Sequence, residues 1–539
     1  MAAFLPNENL SFQSPSHPFD QDVVEEKKKI VIIGAGAAGL SAAKFLLENC
    51  NETCKIEITI VEASNYIGGR IKTCPTFIGH GHKIDIGAEY IHGSNTVLTN
   101  LIHDSLNISV GPSTDFDNEI DDLYEKDVEP IFITSQGDGG PDENPTSHGL
   151  YGGYYLANED LFLPYNSDDN DFKSLNEILW EMSENKENDE NFETNDEDRD
   201  WEYPDDPNLS MKDYLVKVKN IPERMLPLAI AGYANTAGCS DLENISYAAT
   251  RSFEQFWDKH EIEGDYRLHS KHSMGAVVDA LVRCITNNDA SDNYNIRFEK
   301  AKILLNWKVD RIQYAAEKNH EKKIIIHSNN GELLYADACI ISVPTSIINS
   351  KAITFQPPLP KFKTEAFAMV GMDSALKIIL KFSSRLWPKK LQSIVCADCP
   401  IPEIWFREFR WNENKSNCHI AVCYLMSKAA DHIIRHGIDN AINVAKGQLQ
   451  TIFRISTEKM NKSFLSHLVY DWSKHETIRG GYAYPKVGIR PKHYRDMACS
   501  LDNELFFCGE GTHLGACMTV QAAMETGIRA GQEVLSSLL

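Results

Sequence analysis

The fold is decided by a stretch near the start of the chain, which reads Ile30-Val31-Ile32-Ile33-Gly34-Ala35-Gly36-Ala37-Ala38-Gly39. Its β-branched half predicts a buried parallel strand, and the segment that follows predicts a helix. Gly34 permits a tight turn, Gly36 lets the backbone approach a pyrophosphate, and Gly39 allows the helix to pack closely on the strand. Ala37 and Ala38 would then lie in the first turn of a helix whose N–H groups face phosphates.

A second predicted strand, 56–61, ends directly before Glu62. A carboxylate at this place can accept hydrogen bonds from ribose hydroxyls. The strand and helix patterns return at 505–510 and 519–535, so both ends of the chain are expected to build one domain. The sequence therefore predicts an α/β protein, in which a Rossmann-like dinucleotide-binding domain is interleaved with an α+β substrate-binding domain.

The predicted domain limits follow from these patterns. Residues 1–27 are polar and are expected to form a disordered leader. The dinucleotide-binding domain takes 28–110, 240–345 and 462–539, and the substrate-binding domain takes 111–239 and 346–461. An acidic, flexible insertion is expected at about 115–206, interrupted by short ordered pieces at 150–164 and 171–180. Its acidic run is interpreted as a solvated loop, with a cation-gathering funnel or a partner tail as the alternatives.

The composition of the chain indicates which classes of binding partner are favoured. The chain has 539 residues, 42% of them apolar, and a formal net charge of −24. This charge disfavours nucleic acid and anionic membrane surfaces as partners and suits a small cationic substrate. A monomer or weak homo-oligomer is expected, and no residues form a recognisable metal site.

The expected compartment is intracellular. The 13 cysteines are an odd number without even spacing, which favours reduced thiols over a disulfide framework. Residues 1–21 lack the basic and apolar regions of a secretory signal, and no run of about 18 apolar residues occurs. A cytoplasmic location is expected, with peroxisomal and nuclear locations left open.

The segment after the second strand separates two classes of dinucleotide. It runs from Glu62 to Arg70, includes Ala63 and Gly69, and ends in Gly-Gly-Arg. In this feature the chain resembles the flavin-containing amine oxidase superfamily, in which such a motif holds the diphosphate of FAD. The resemblance implies that Arg70 supplies a charge-assisted contact to the diphosphate. Nicotinamide enzymes do not need this second clamp.

Further segments resemble the same superfamily in the same order. Residues 85–94 resemble the segment beside the flavin ring, Val309 matches the position that contacts adenine, and 509–512 resemble a Gly-Glu-x-Thr motif. The helix expected after 519 would stabilise negative charge on the reduced ring. The cofactor-binding residues that the resemblance adds to those above are Gly87, Ala88, Glu89, Tyr90, Val309, Trp472, Tyr482, Gly509, Glu510, Thr519 and Val520.

The aromatic-rich segment around Tyr482 resembles that of the polyamine oxidases, of the spermine or acetylpolyamine type, and that of the lysine-specific histone demethylases. Monoamine oxidases carry a flavin-linked cysteine where this chain has Tyr482, so FAD is expected to bind without a covalent link. Trp472, Tyr482 and Tyr484 could form aromatic walls for an alkylammonium chain, with packing in the core as the alternative for each. Against the family pattern, Cys517 replaces an aromatic residue, which puts the substrate's identity in doubt.

Three polar residues complete the expected catalytic set. Lys377 matches the family lysine that holds a water near flavin N5, with a solvated strand-edge lysine as the alternative. His92 matches a histidine that contacts a substrate nitrogen, with a structural histidine as the alternative. Glu89 is interpreted as a partner for a substrate cation.

The expected reaction is hydride transfer from an amine to flavin N5, followed by hydrolysis of the imine and reoxidation by O₂ to give H₂O₂. The substrate is expected to be spermine, spermidine or an acetylated form. An oxidase of another amine or of an L-amino acid is the nearest alternative, and a catalytically silent flavoprotein-like binding module is the other. A histone demethylase is disfavoured, because 115–206 lacks long heptad-patterned helices.

Overall fold

The computed structural model describes residues 27–50, 55–107, 151–164, 167–183, 202–239, 241–260, 265–268, 272–286, 301–314, 324–389, 391–410 and 417–538. The predicted leader lies outside these residues except for Lys27. Most of the predicted acidic insertion also lies outside them. Within it, the ordered pieces expected at 150–164 and 171–180 are confirmed as two strands and a helix.

The strands are numbered in chain order. They are β1 (Lys28–Ile33), β2 (Ile56–Val61), β3 (Thr73–Gly79), β4 (His82–Asp85), β5 (Ile91–His92), β6 (Tyr151–Leu156), β7 (Leu161–Pro164), β8 (Asp265–Tyr266), β9 (Lys302–Leu304), β10 (Val309–Gln313), β11 (Ile324–Ser328), β12 (Leu333–Ala336), β13 (Ala338–Ile341), β14 (Thr354–Gln356), β15 (Val370–Met372), β16 (Ala375–Phe382), β17 (Leu391–Ala397), β18 (Glu403–Arg410), β19 (Asn417–Met426), β20 (Phe464–Asp471), β21 (Ala483–Pro485) and β22 (Leu505–Phe507).

The α-helices are numbered in the same way. They are α1 (Ala37–Asn49), α2 (Val97–Leu106), α3 (Asn170–Ser183), α4 (Met211–Asp213), α5 (Leu226–Ala229), α6 (Tyr247–Lys259), α7 (Gly275–Thr286), α8 (Thr345–Asn349), α9 (Lys361–Ala368), α10 (Ser427–Ile434), α11 (Ile438–Phe453), α12 (Thr457–Ser463), α13 (Pro491–Ala498) and α14 (Val520–Leu538).

The first of two main sheets is parallel. Its strands lie in the order β22-β13-β1-β2-β9, and each neighbouring pair runs parallel. The buried residues of β1, β13 and β22 form continuous apolar runs because both faces of the sheet are covered there. They come from the start, the middle and the end of the chain. The predicted Rossmann-like domain is confirmed in this sheet, and so is the α/β fold class.

The last helix, α14, packs on the first, α1. A Cβ built on Gly527 would lie 2.1 Å from the carbonyl oxygen of Ala38, so only glycine permits this approach of the two backbones. The close contact brings the C-terminal residues of the chain beside the glycine-rich turn that follows β1.

The second main sheet, called the large sheet below, has the order β20-β16-β19-β18-β17-β6-β7. It is antiparallel except for the parallel pair β17 and β6. The predicted domain limits stay predictions. One strand lies outside its predicted domain. The sequence assigned everything from 462 onward to the dinucleotide-binding domain, but β20 belongs to the large sheet.

Several features bear on the chemistry that is available. No helix in the described ranges is long and apolar enough to cross a membrane. Within the same ranges, no group of three or more His, Cys, Asp or Glu side chains could hold a metal ion. Cys396 and Cys399, which are separated by only two residues, are both free thiols.

Candidate active site

The glycine-rich turn after β1 faces open space. Gly36 is the N-cap of α1, with no side-chain cap, and a Cβ placed on it would meet no atom within 4 Å. The first N–H groups of α1 therefore face a space that suits phosphate oxygens. Gly39 has the opposite environment, because its Cβ would lie 2.0 Å from the carbonyl oxygen of Gly34. Gly36 thus leaves room for a ligand, whereas Gly39 allows the helix to pack.

Glu62 is buried at the end of β2. Its Oε2 accepts a hydrogen bond from the N–H of Ala35 at 2.9 Å, and its Oε1 accepts one from the N–H of Ser64 at 2.7 Å. These two bonds fix the carboxylate and leave further lone pairs, because each carboxylate oxygen accepts about two hydrogen bonds. Glu62 is therefore placed to accept hydroxyl groups of a ribose.

Arg70 links the start of the chain to its end. Its Nη1 lies 2.6 Å from Oε1 of Glu510 and 3.1 Å from the carbonyl oxygen of Gly481. The buried Glu510 also accepts the N–H groups of Ala483 and Met518, at 3.2 and 3.0 Å. Three parts of the chain, around residues 70, 483 and 510–518, therefore meet at this carboxylate.

The same region contains a large cavity of about 360 Å³. Its lining includes the residues around both termini and side chains of the large sheet. Predicted site residues that line it are Gly34, Gly36, Ala37, Ala38, Glu62, Ala63, Gly69, Arg70, Gly87, Ala88, Glu89, Tyr90, His92, Val309, Lys377, Trp472, Tyr482, Gly509, Glu510, Thr519 and Val520. Gly39 does not line the cavity.

Lys377 lies on an interior strand of the large sheet and not at an edge. Its strand, β16, is hydrogen-bonded to β19 on one side and β20 on the other. The Nζ atom is 2.9 Å from Oε2 of Glu89, 2.9 Å from the carbonyl oxygen of Gly87 and 3.3 Å from that of Asp85. An ammonium group has three N–H donors, so these three acceptors of the chain itself use all of them. The role expected for Lys377, holding a water, would need one of these donors.

Glu89 is surrounded by three cations. Besides Lys377, the Nη1 atoms of Arg267 and Arg407 each lie 3.2 Å from its Oε1, and only 1% of its side chain is exposed. Burial alone would raise the pKa of Glu89, but the charges of Lys377, Arg407 and Arg267 outweigh it and lower the pKa to about 2. The sequence assigned this carboxylate to a substrate cation, whereas its partners in the structure are cations of the chain.

A second buried acid, Asp85, lies beside this group. Its carboxylate accepts the hydroxyl of Thr73 at 2.7 Å and the N–H of Met274 at 3.1 Å. Burial, followed by the negative charge of Glu89, raises the pKa of Asp85 to about 6. Asp85 therefore changes its charge close to neutral pH.

An aromatic wall closes one side of the cavity. The ring of Trp405 stacks on Tyr424 with centroids 4.8 Å apart and meets Tyr90 edge to face at 4.9 Å. The hydroxyl of Tyr424 donates to the Tyr482 hydroxyl at 2.7 Å, and Tyr482 donates to the carbonyl oxygen of Thr236 at 2.5 Å. These contacts hold the rings in fixed positions along the wall.

Comparison with known proteins agrees with the motifs and the cavity. The sequence model described as "Flavin containing amine oxidoreductase" matches residues 37–535. The chain belongs to the flavin-containing amine oxidase family. Polyamine oxidase 2 of Arabidopsis thaliana is 25% identical over 543 residues, covering 98% of this chain and 90% of that protein. Polyamine oxidase 5 of Oryza sativa subsp. japonica is 24% identical, covering 94% of this chain and 87% of that protein.

Solved structures of this family share the fold. Putrescine oxidase bound to putrescine has a TM-score of 0.66 at 14% identity, with 95% of this chain and 99% of that chain covered. Cyclohexylamine oxidase from Brevibacterium oxydans IH-35A has a TM-score of 0.65 at 17% identity, with the same coverage of 95% and 99%. These identities show the fold alone.

The chain is an FAD-dependent amine oxidase. FAD fits the cavity because Gly36 leaves open space at the α1 N-terminus and Glu62 and Arg70 present a carboxylate and a guanidinium to it. The cofactor is held without a covalent link, as is typical of this family. The roles of the individual residues toward FAD stay predictions.

Two further aromatic predictions have different outcomes. Trp472 lines the cavity and donates its Nε1–H to the carbonyl oxygen of Ile86 at 2.9 Å. Tyr484 does not line the cavity, because its hydroxyl turns toward Asp373 and its ring packs in the core. Cys517, where an aromatic residue was expected, is buried and contributes to the cavity wall.

Sequence reasoning missed several residues of the site. They come from the large sheet and its neighbours, and comprise Thr236, Trp257, Arg267, Glu403, Trp405, Arg407 and Tyr424. One available signal was the alternation in β18, where Glu403, Trp405 and Arg407 share a face because side chains repeat every two residues. Arg267 had no such signal, since it follows a strand of only two residues.

Proposed function

We propose that the chain oxidises a polyamine such as spermine, spermidine or an acetylated form of these, and releases H₂O₂. One observation carries the proposal. A buried carboxylate, Glu403, and the rings of Trp405, Tyr424 and Tyr482 line the same cavity as Lys377 and the dinucleotide motifs. Aromatic faces and a carboxylate suit an alkylammonium chain. The similarity to plant polyamine oxidases supports the same substrate class.

FAD, when bound, supplies the redox chemistry, accepting a hydride from the carbon beside the amine nitrogen and passing the electrons to O₂, while water hydrolyses the imine product. The protein's part is to bind and orient the amine. The wall of Trp405, Tyr424 and Tyr482 excludes water and confines the alkyl chain. A nitrogen that enters deprotonated needs no side-chain base for this reaction.

Glu403 is the residue we assign to a substrate ammonium. Its Oε1 accepts the indole N–H of Trp405 at 2.5 Å, and its Oε2 accepts the Nδ2–H of Asn235 at 3.2 Å. These two bonds fix the orientation of the carboxylate at the cavity wall. An ammonium close to a carboxylate in a buried site gains more electrostatic energy than it would in water.

The positions of the arginines favour an amine over an amino acid. An amino-acid oxidase needs an arginine for the substrate carboxylate, but Arg267 and Arg407 are directed at Glu89 and do not line the cavity. Among the described residues, Arg70 and Arg479 do line it. Arg70 is paired with Glu510, and Arg479 donates to Ser350 and to the backbone of Glu476.

The test is a peroxide assay with a matched panel of substrates. The panel comprises spermine, spermidine, their acetyl derivatives, simple monoamines and L-amino acids. We expect kcat/KM to be highest for a polyamine, and we expect Glu403→Gln to raise KM for that polyamine more than for a monoamine. A preference for an amino acid, or peroxide from no amine at all, would contradict the proposal. We also propose a cytoplasmic location, which cell fractionation would test.

A further inference from the structure

The cluster around Glu89 contains more positive than negative charge. It comprises Lys377, Arg267 and Arg407, with Glu89 and Asp85 as the acids. Nε and Nη2 of Arg267 are buried and have no hydrogen-bond acceptor among the described residues, so only Nη1 of this guanidinium binds the carboxylate of Glu89. Lys377 and Glu89 line the cavity, while Arg407 and Arg267 lie behind them.

Glu89 determines where the charge of Lys377 lies. The ammonium has three acceptors, of which Gly87 and Asp85 contribute neutral backbone carbonyls and only Glu89 contributes a charge. The same carboxylate holds Arg267 and Arg407 apart from Lys377, because each binds Oε1 while Lys377 binds Oε2. A buried acid held by three cations has little freedom to move, and removing its charge leaves three cations facing one another.

We propose that Glu89 is the positioning residue of this site, holding the Lys377 ammonium as a fixed charge that stabilises the negative charge the flavin ring gains on reduction. The inference rests on the proposed function. It replaces the expected role of Lys377 in holding a water, because the three N–H donors of Lys377 are bound to protein acceptors. A fixed charge in a buried site stabilises developing charge without reorganisation at the moment of reaction.

The proposal predicts opposite changes in two quantities when Glu89 is altered. Glu89→Gln removes a negative charge, so the midpoint potential of the bound flavin should rise. The same change releases Lys377 from its charged partner, so flavin reduction by amine should slow by about 100-fold, the cost of misplacing a reacting group by about 1 Å. A residue with a merely structural role would not produce a rise in potential together with a fall in rate.

The experiment measures both quantities on the FAD-loaded protein at pH 8, where Asp85 is ionised because its pKa is about 6. The potential comes from dye-coupled redox titration, and the rate comes from anaerobic stopped-flow reduction. Lys377→Met should lower the potential, and the double variant Glu89→Gln with Lys377→Met should return it to near the wild-type value while reduction stays slow. Glu89→Asp keeps the charge, so it should leave the potential unchanged and slow the reduction.

If Glu89→Gln does not fold, Arg407→Gln tests the effect of the cluster's charge on the flavin potential. It removes a positive charge without touching Lys377, so it should lower the potential while changing the rate less than Lys377→Met does. Unchanged potentials in all charge-altering variants, or a rate that rises with the potential in Glu89→Gln, would overturn the inference. If the wild type oxidises no amine, the proposed function fails instead, and the potentials still report on the cluster.

Discussion

The Nη1 atom of Arg70 lies 2.6 Å from Oε1 of Glu510, so an ion pair joins residues that are 440 positions apart in the chain. The pair closes the cavity at the place where the Gly-Gly-Arg turn after β2 meets the turn after β22. Both charges are fixed by backbone groups as well as by each other. The predicted cofactor contact of Arg70 therefore lies at the place where the two ends of the chain meet.

Replacing Arg70 should weaken FAD binding. We expect Arg70→Ala to raise the Kd for FAD by roughly 10- to 100-fold, since charge-assisted hydrogen bonds contribute about 1.5–3 kcal/mol. Titration of the apoprotein by flavin fluorescence measures this. The exposed Arg311 on β10 provides the control, and Arg311→Ala should bind FAD as the wild type does. Equal affinities in all three proteins would remove the role given to Arg70.

The glycines of the first turn should respond differently to a larger side chain. Gly36→Val places its side chain in open space, so the protein should fold normally but lose roughly 3 kcal/mol of FAD affinity, about 100-fold. Gly39→Val meets the carbonyl oxygen of Gly34 at 2.0 Å, so it should destabilise the fold itself by about 3 kcal/mol. Circular dichroism melting of both apoproteins separates the two effects. An unstable Gly36→Val protein would argue against an open site there.

Lys377→Met should slow flavin reduction by amine by about 100-fold because the fixed charge beside the cavity is lost. Lys381 is a matched control on the same strand, since its Nζ donates to the carbonyls of Phe77 and Ile78 and it does not line the cavity. Stopped-flow reduction of Lys381→Met should match the wild type. Similar slowing in both variants would indicate a general disturbance of β16.

Asp85 should make the protein less stable as pH rises. Its pKa in the folded protein, about 6, lies above its ordinary value of 3.8, so its contribution to stability is complete below pH 3.8 and is lost as pH rises through 6. Asp85→Asn cannot ionise, so this loss should not occur. Between pH 4 and 7 its free energy of unfolding should rise relative to that of the wild type by up to roughly 3 kcal/mol. Melting temperatures across this range test the prediction, with the exposed Asp310→Asn as control. An unchanged pH slope in Asp85→Asn would contradict it.

The sequence predicts the cofactor half of the site better than the substrate half. Gly36, Glu62 and Glu510 each lie in a short motif whose local turn fixes the position of the residue, so residue type and spacing carry the information. Arg267 and Trp405 reach the site only through strand pairing, and the register of that pairing depends on distant segments. Glu89 shows the same limit, because its position follows from its motif while its three cationic partners do not.

The most direct test of the account is whether the purified full chain carries FAD that it releases intact. We predict a yellow protein with a flavin absorption band, and equimolar FAD in the supernatant after the chain is denatured and precipitated. A well-folded, colourless protein that does not bind added FAD would contradict the account. Flavin retained by the precipitated chain would contradict the claim that FAD is bound without a covalent link.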